Sequence, residues 1–231
     1  MNDSQITEFD MGQRVRAHAA GHPADFPAGS RAAAVLATLD ATITLLEELA
    51  AKQIAANLER QQSTEQKQVA INALVGLMKA VNLTARSINE QIPGIADQFK
   101  LGRGGDQATI NRGRAFINNA SPITTEFTTR DMPATFLGDM KAAIDSFDEA
   151  EDRQSLASIA LSNATAGLKV AFKTMRAAVR ELDAIFRNKH RTDPAALAAW
   201  KTARRVEKAP RKSATKKSAP PQSAAPKPST E

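Results

Sequence analysis

Two of the three histidines, His18 and His22, stand four residues apart, with Asp25 just beyond. On one helix face, an i, i+4 His pair beside a carboxylate is the beginning of a metal site. Here Gly21 and Pro23 interrupt that face and the chain has no cysteine, so the pair reads as a solvated helix terminus. A di-iron bundle would need Glu-x-x-His on two helices, and no Glu precedes a His at that spacing. No metal ligand is assigned.

Other chemistries fare no better. Leu101-Gly102-Arg103-Gly104-Gly105-Asp106 is glycine-rich, but it matches neither the Walker loop nor the dinucleotide loop. It reads as a connector before a helix capped by Asp106, with Arg103 as a residual anion contact. There is no G-x-S-x-G, no cysteine thiolate, and no His with recognisable triad partners. No catalytic or cofactor-binding residue is assigned. A polar site inside a bundle would have to use residues such as Arg86, Arg114 and Asn163.

Two basic groups are more informative. Arg187, Lys189 and Arg191 close the last long amphipathic segment, and Arg204 and Arg205 follow shortly after. Cations at a helix C-terminus meet the negative end of its dipole; together these five also form a candidate anion surface. The second group is Lys208, Arg211, Lys212, Lys216, Lys217 and Lys227, opposed only by Glu231. Thus +5 of the formal +6 lies in residues 208–231, a stretch rich in Ala, Pro and Ser. So little apolar surface predicts a disordered tail, with weak, sequence-independent nucleic-acid association as its candidate role. A solubilising extension is the alternative. Trp200, the only Trp, reads as a docking anchor; single-strand binders array several aromatics along a basic groove.

The elements that must position these residues are helical. Tyr is absent, aromatics make up 4% of the chain, and Ala and Leu dominate, which favours helix and starves a sheet. Ala32, Leu36, Leu39, Ile43, Leu46 and Ala50 alternate steps of four and three, as do Ala70, Leu74, Leu77, Val81, Thr84 and Ile88. These are heptad seams. The polar run Arg60-Gln61-Gln62-Ser63, with Ser63 and Gln66 spaced as a capping box, predicts a turn between them. Phe136 or Leu137, then Met140, Ile144 and Phe147, make a third seam. A fourth runs through Leu156, Ile159, Asn163, Ala166, Val170, Met175, Val179, Leu182 and Phe186.

The expected fold is therefore an all-α antiparallel four-helix bundle with short additional helices and a disordered basic C-terminal tail. Its parts are an N-terminal helix and loop (1–29), a first hairpin (30–92), an irregular connector (93–130), a second hairpin (131–190), a terminal helix (192–207) and the tail (208–231). Residues 131–152 are acidic and 169–205 basic, which predicts complementary rims within the second hairpin. No window is apolar enough to span a membrane and no signal-peptide core is present, so a cytoplasmic protein is expected.

Phe9-Asp10-Met11-Gly12-Gln13-Arg14-Val15, Thr84-Ala85-Arg86-Ser87-Ile88 and Asp183-Ala184-Ile185-Phe186-Arg187-Asn188-Lys189 resemble passages of an uncharacterised family of bacterial helical proteins. The resemblance spans residues 1–207. It implies an all-helical fold and, because that family has no assigned activity, no functional residues. The expected role is a non-enzymatic structural or interaction protein. Its partners would be nucleic acid through the tail, a second copy of itself, or another helical protein.

Overall fold

A computed structural model describes residues 1–207; the tail cations Lys208 to Lys227 lie outside the described residues. Every element among the described residues is helical. Helix α1 spans Asp3–Gly21 and starts with a capping box, Asn2 accepting from the Gln5 amide and Gln5 from the Asn2 amide, both at 2.9 Å. A short 3₁₀ turn, Pro23–Asp25, leads to α2, Arg31–Ile88, with Ser30 as its N-cap. The connector holds α3 (Ile95–Gln98), α4 (Asp106–Ala120) and α5 (Thr124–Thr128). Then come α6, Phe136–Lys189, and α7, Pro194–Ala203. In α7, Asp193 caps the Ala195 and Ala196 amides at 3.0 Å and Pro194 takes the first helical position.

The expected four-helix bundle is not what forms. Each predicted hairpin is instead one unbroken helix: α2 has 58 residues and α6 has 54, roughly 80–90 Å apiece at 1.5 Å per residue. They pack antiparallel along their whole lengths. The turn predicted at Arg60–Ser63 is absent because nothing there breaks a helix. Ser63 faces α6, fully buried, in step with Ala56 and Ala70 seven residues either side, so the heptad register simply continues. The capping-box spacing was a coincidence of composition. Between the third and fourth seams, Glu151-Asp152-Arg153-Gln154 also lacks Gly and Pro and stays helical.

Placing acidic and basic segments on one helix also overturns their expected mutual pairing. The acidic half of α6 instead meets cations of its neighbours: Arg114 of α4 lies 2.6 Å from Asp148, and Lys67 of α2 lies 3.6 Å from Glu151. The basic half meets Glu8 of α1 through Arg176 at 3.3 Å. Acid near the start of α6 and base near its end also suit the helix dipole.

The hydrophobic core is split between the two ends of the hairpin. At the connector end, Leu74, Met78, Val81 and Ile88 of α2 and Phe136, Met140 and Phe147 of α6 pack with Phe99, Phe116 and Phe127. Gly113 allows this: a Cβ there would meet Leu74 at 2.9 Å, so α4 lies close against α2. At the terminal end, Leu39, Ile43 and Leu46 pack with Leu168, Phe172, Met175 and Leu182, closed by Met11 and Val15 of α1 and Trp200 of α7. Gly12 lies so near Met175 that a Cβ would sit 2.7 Å from its Sδ.

Between the ends is a waist two helices wide. Its buried seam is Ala56, Ser63 and Ala70 against Ala150, Ala157 and Ala164. Alanine lets two helices approach closely, but each methyl buries little area, at about 0.8 kcal/mol per buried carbon. The Ser63 hydroxyl has no partner, at a cost of about 1–3 kcal/mol. Register is held by polar links: Gln53 to Thr165 at 3.2 Å, Gln154 to Thr64 at 2.7 Å, and Lys67 to Gln154 at 3.2 Å.

Candidate functional site

The terminal end gathers most of the residues that the sequence marks as chemically interesting. Phe186, near the end of α6, is its centre. Trp200 of α7 stacks on it with ring centroids 4.7 Å apart, and His190 stacks at 4.3 Å. His18 meets Phe186 at 5.5 Å and Trp200 at 5.4 Å, and it stacks on His22 at 4.3 Å. His22 is an exposed helix terminus as expected, whereas His18 is partly buried. The His18 ring reaches the aromatic cluster and helps dock α1 on α6 and α7, and His22 touches that cluster only through His18. Trp200 is 1% exposed and anchors α7, as expected.

Asp25 ties this cluster down. Its Oδ1 lies 2.8 Å from His190 Nε2 and 2.9 Å from Lys189 Nζ. Burial alone would raise its pKa, but hydrogen bonds from Lys189 and His190 outweigh that and hold the carboxyl below its ordinary value near 3.8. His18 is pushed the other way in charge preference. Burial lowers its pKa from near 6.5, His22 and His190 add to this, and Asp25 opposes it. Its Nε2 is buried without a partner. The folded state thus binds fewer protons on His18 than the unfolded chain, so stability falls as pH drops through 6.5. The Asp25 contribution is complete above 3.8 and is lost only at more acid pH, as its folded-state carboxyl protonates. The unfolding temperature should therefore decline between about pH 7.5 and pH 5, and His18→Phe should flatten that decline. An unchanged slope in the variant would assign it to other groups. Among the described residues, no three His, Cys, Asp or Glu side chains converge as a metal site.

On the outer side of the same cluster lies a groove of about 410 Å³ lined by Arg187, Arg191, Leu197, Trp200, Lys201 and Arg204. Three of the five predicted anion-surface residues thus come together, and Lys201 joins them. The other two do not line it. Lys189 turns to Asp25 and the Ala24 carbonyl, while the Arg205 carbonyl accepts a hydrogen bond from Arg14 of α1. Lys201 was missed because its spacing from Arg187 means nothing until α7 folds back along α6.

Asp183 organises the groove. One oxygen, Oδ1, accepts from Trp200 Nε1 at 2.9 Å and Arg187 Nε at 3.1 Å, with Arg204 Nε 2.8 Å away. The Arg204 contact is an ion pair without hydrogen-bond alignment, since that N–H has no acceptor.

The second feature is on the waist. The predicted fourth seam drifts off the α2 interface there. Met175, Val179, Leu182 and Phe186 are buried as expected, but Leu156 is 66%, Ile159 59% and Val170 65% exposed. The smaller Ala157 and Ala164 face α2 in their place. The buried face of α6 keeps one seven-residue repeat from Phe136 through Ala150, Ala157, Ala164 and Ala171 to Ala178, and the predicted stripe of Leu156, Asn163 and Val170 runs one residue out of step with it. One side of the waist is consequently an open groove of about 730 Å³, bounded by Leu49, Lys52 and Glu59 on α2 and by Arg153, Leu156 and Asn163 on α6. A smaller recess of about 370 Å³ continues it past Leu45 and Val170 and shares Leu49.

Other sequence candidates stay apart. Arg86 is exposed, Arg114 pairs with Asp148, and Asn163 lies on the waist. Asp106 is the first residue of α4, and Gly105 holds the cap position without a side-chain bond, correcting the expected Asp106 cap. The loop before it is tied by Arg112, which donates to the Gly102 carbonyl at 2.9 Å. Sequence reasoning also missed Asn82, whose buried amide donates to the Phe99 carbonyl at 2.7 Å and fixes the connector on α2.

The fold and these surfaces define an all-helical hairpin protein with a cationic terminal groove and an apolar waist. No helix among the described residues is long and apolar enough to cross a membrane. No protein-family model, curated protein or solved structure matches the chain.

Proposed function

We propose that the protein is a non-enzymatic helical scaffold that self-associates, the waist of one copy pairing with the waist of a second. The observation that carries this is the continuous apolar groove on a part of the molecule only two helices thick. Leu156 and Val170 stand about two-thirds exposed along it, with Leu45 at 45%. Pairing two waists would give four helices in cross-section, the arrangement the sequence pattern suits.

Charge favours a second copy as the occupant. Lys52 and Glu59 stand two turns apart on the same rim. An antiparallel two-fold axis level with Ala55 and Ala56 would place Lys52 of each copy opposite Glu59 of the other. Such an isologous contact satisfies both charges at once. From Thr42 to Glu59 the groove runs about 27 Å, and two helices side by side span about 20 Å. That gives roughly 500 Å² per copy, near the lower limit for a specific interface, so a dimer of micromolar strength is expected.

Sedimentation of the full chain up to about 100 µM tests this, a range that would populate a micromolar complex. The wild type should dimerise reversibly. Leu156→Glu with Val170→Glu should remain helical and monomeric, because both side chains are exposed. Lys52→Glu should weaken the dimer, and adding Glu59→Lys should restore it. A wild type that stays monomeric at the highest concentration overturns the proposal. Association of the 208–231 cations with nucleic acid is a separable part of this reading, supported by their charge and composition.

A further inference from the structure

The basic groove at the terminal end is independent of the waist. We infer that it is a binding site for a run of phosphate groups, held by Arg187, Arg191, Lys201 and Arg204.

Its construction points to a ligand. Asp183 uses one oxygen to gather two guanidinium groups, Arg187 and Arg204, through their Nε atoms. That arrangement leaves the terminal amino groups of both forks unspent. Arg191 and Lys201 make no ion pair among the described residues. Four cations therefore share one groove with a single carboxylate.

A structural role at the helix C-terminus accounts for only part of this charge. The dipole there is worth about half an elementary charge and acts within the last turn. Lys201 and Arg204 belong to the end of a different helix, α7. The excess positive charge favours a compact anion with several oxygens. Guanidinium forks match phosphate bidentately, and Lys supplies a point charge.

The ligand is phosphate rather than a base or an aromatic. Trp200 is buried against Phe186 and its N–H is committed to Asp183, so it lends the groove an edge and no stacking face. A volume of about 410 Å³ falls within the range of about 300–1,000 Å³ for small-ligand sites, ample for two or three linked phosphates. Such a run could come from a free oligophosphate or from a nucleic-acid backbone. In the latter case the tail cations, the first of them Lys208 five residues after Ala203, would extend the contact.

Trp200 provides a local readout because it is the only Trp and lines the groove. Inorganic triphosphate titrated into the full chain should change its fluorescence saturably. Arg191→Ala with Lys201→Ala should weaken binding at least tenfold without altering helicity. Lys169→Ala with Lys173→Ala removes the same charge from mid-α6 and should leave binding within about twofold, since exposed charges beyond a Debye length are screened. A short single-stranded oligonucleotide that competes with triphosphate identifies a backbone source, and failure to compete identifies a free oligophosphate. An unresponsive Trp200, or equal losses in the two double variants, overturns the site. Neither result bears on dimerisation, which sedimentation reads separately.

Discussion

Phe99→Ala should lower the melting temperature of the connector end by roughly 12–40 °C while the terminal end melts near its original temperature. Phe99 is fully buried and meets Phe116 and Phe127 edge-to-face at 5.2 and 5.5 Å. Truncating such a ring costs about 3–5 kcal/mol, and each kcal/mol shifts a separately melting unit of about 60–100 residues by about 4–8 °C. The damage should stay local because the two cores share only the alanine waist. The chain supplies its own test, since its single Trp sits in the other core. Far-UV circular dichroism should show an early partial transition, and Trp200 fluorescence should not follow it. If both probes shift together, the two long helices transmit stability across the waist and the molecule unfolds as one unit.

Trp200→Ala should release α7 from the hairpin. The indole supplies the stacking on Phe186 and the bond to Asp183, and its loss again costs about 3–5 kcal/mol. A helix of ten residues is marginal in water without packing, so this loss exceeds what α7 can absorb. Amide exchange in α7 should become nearly unprotected while α4 at the far end is unchanged. Trp200→Phe keeps an aromatic ring on Phe186 and loses only the hydrogen bond, so the cost should drop to about 1 kcal/mol. Retained protection of α7 in the alanine variant would show that Asp193 capping and the contacts of Arg204 and Arg205 suffice. Because Lys201 and Arg204 ride on α7, the basic groove should disappear together with that protection.

The amino-acid sequence by itself determined that this chain is helical, where several helices begin, and part of what fills the two end cores, although Phe99, Phe116, Phe127, Leu168 and Phe172 belong to no predicted seam. Ser30 and Asp193 are N-caps of types that favour that position, and Met140, Ile144 and Phe147 are buried as one stripe. Those signals are local, set by propensity, capping and periodicity over a few turns. Helix continuity was not legible at Arg60–Ser63, because a polar run without Gly or Pro looks the same at a turn and on a solvated waist. The outcome there depends on whether Ser63 faces solvent or α6, which is a tertiary matter. The same limit hid the two surfaces. Leu156 and Val170 carry the pattern of core residues, and only the packing of the adjacent stripe, Ala157, Ala164 and Ala171, against α2 leaves them outside. Arg187 and Lys201 are fourteen residues apart in sequence, and only the fold-back of α7 onto Phe186 sets them on one groove. Tertiary packing decides such features because it acts between residues whose separation along the chain carries no periodic signal.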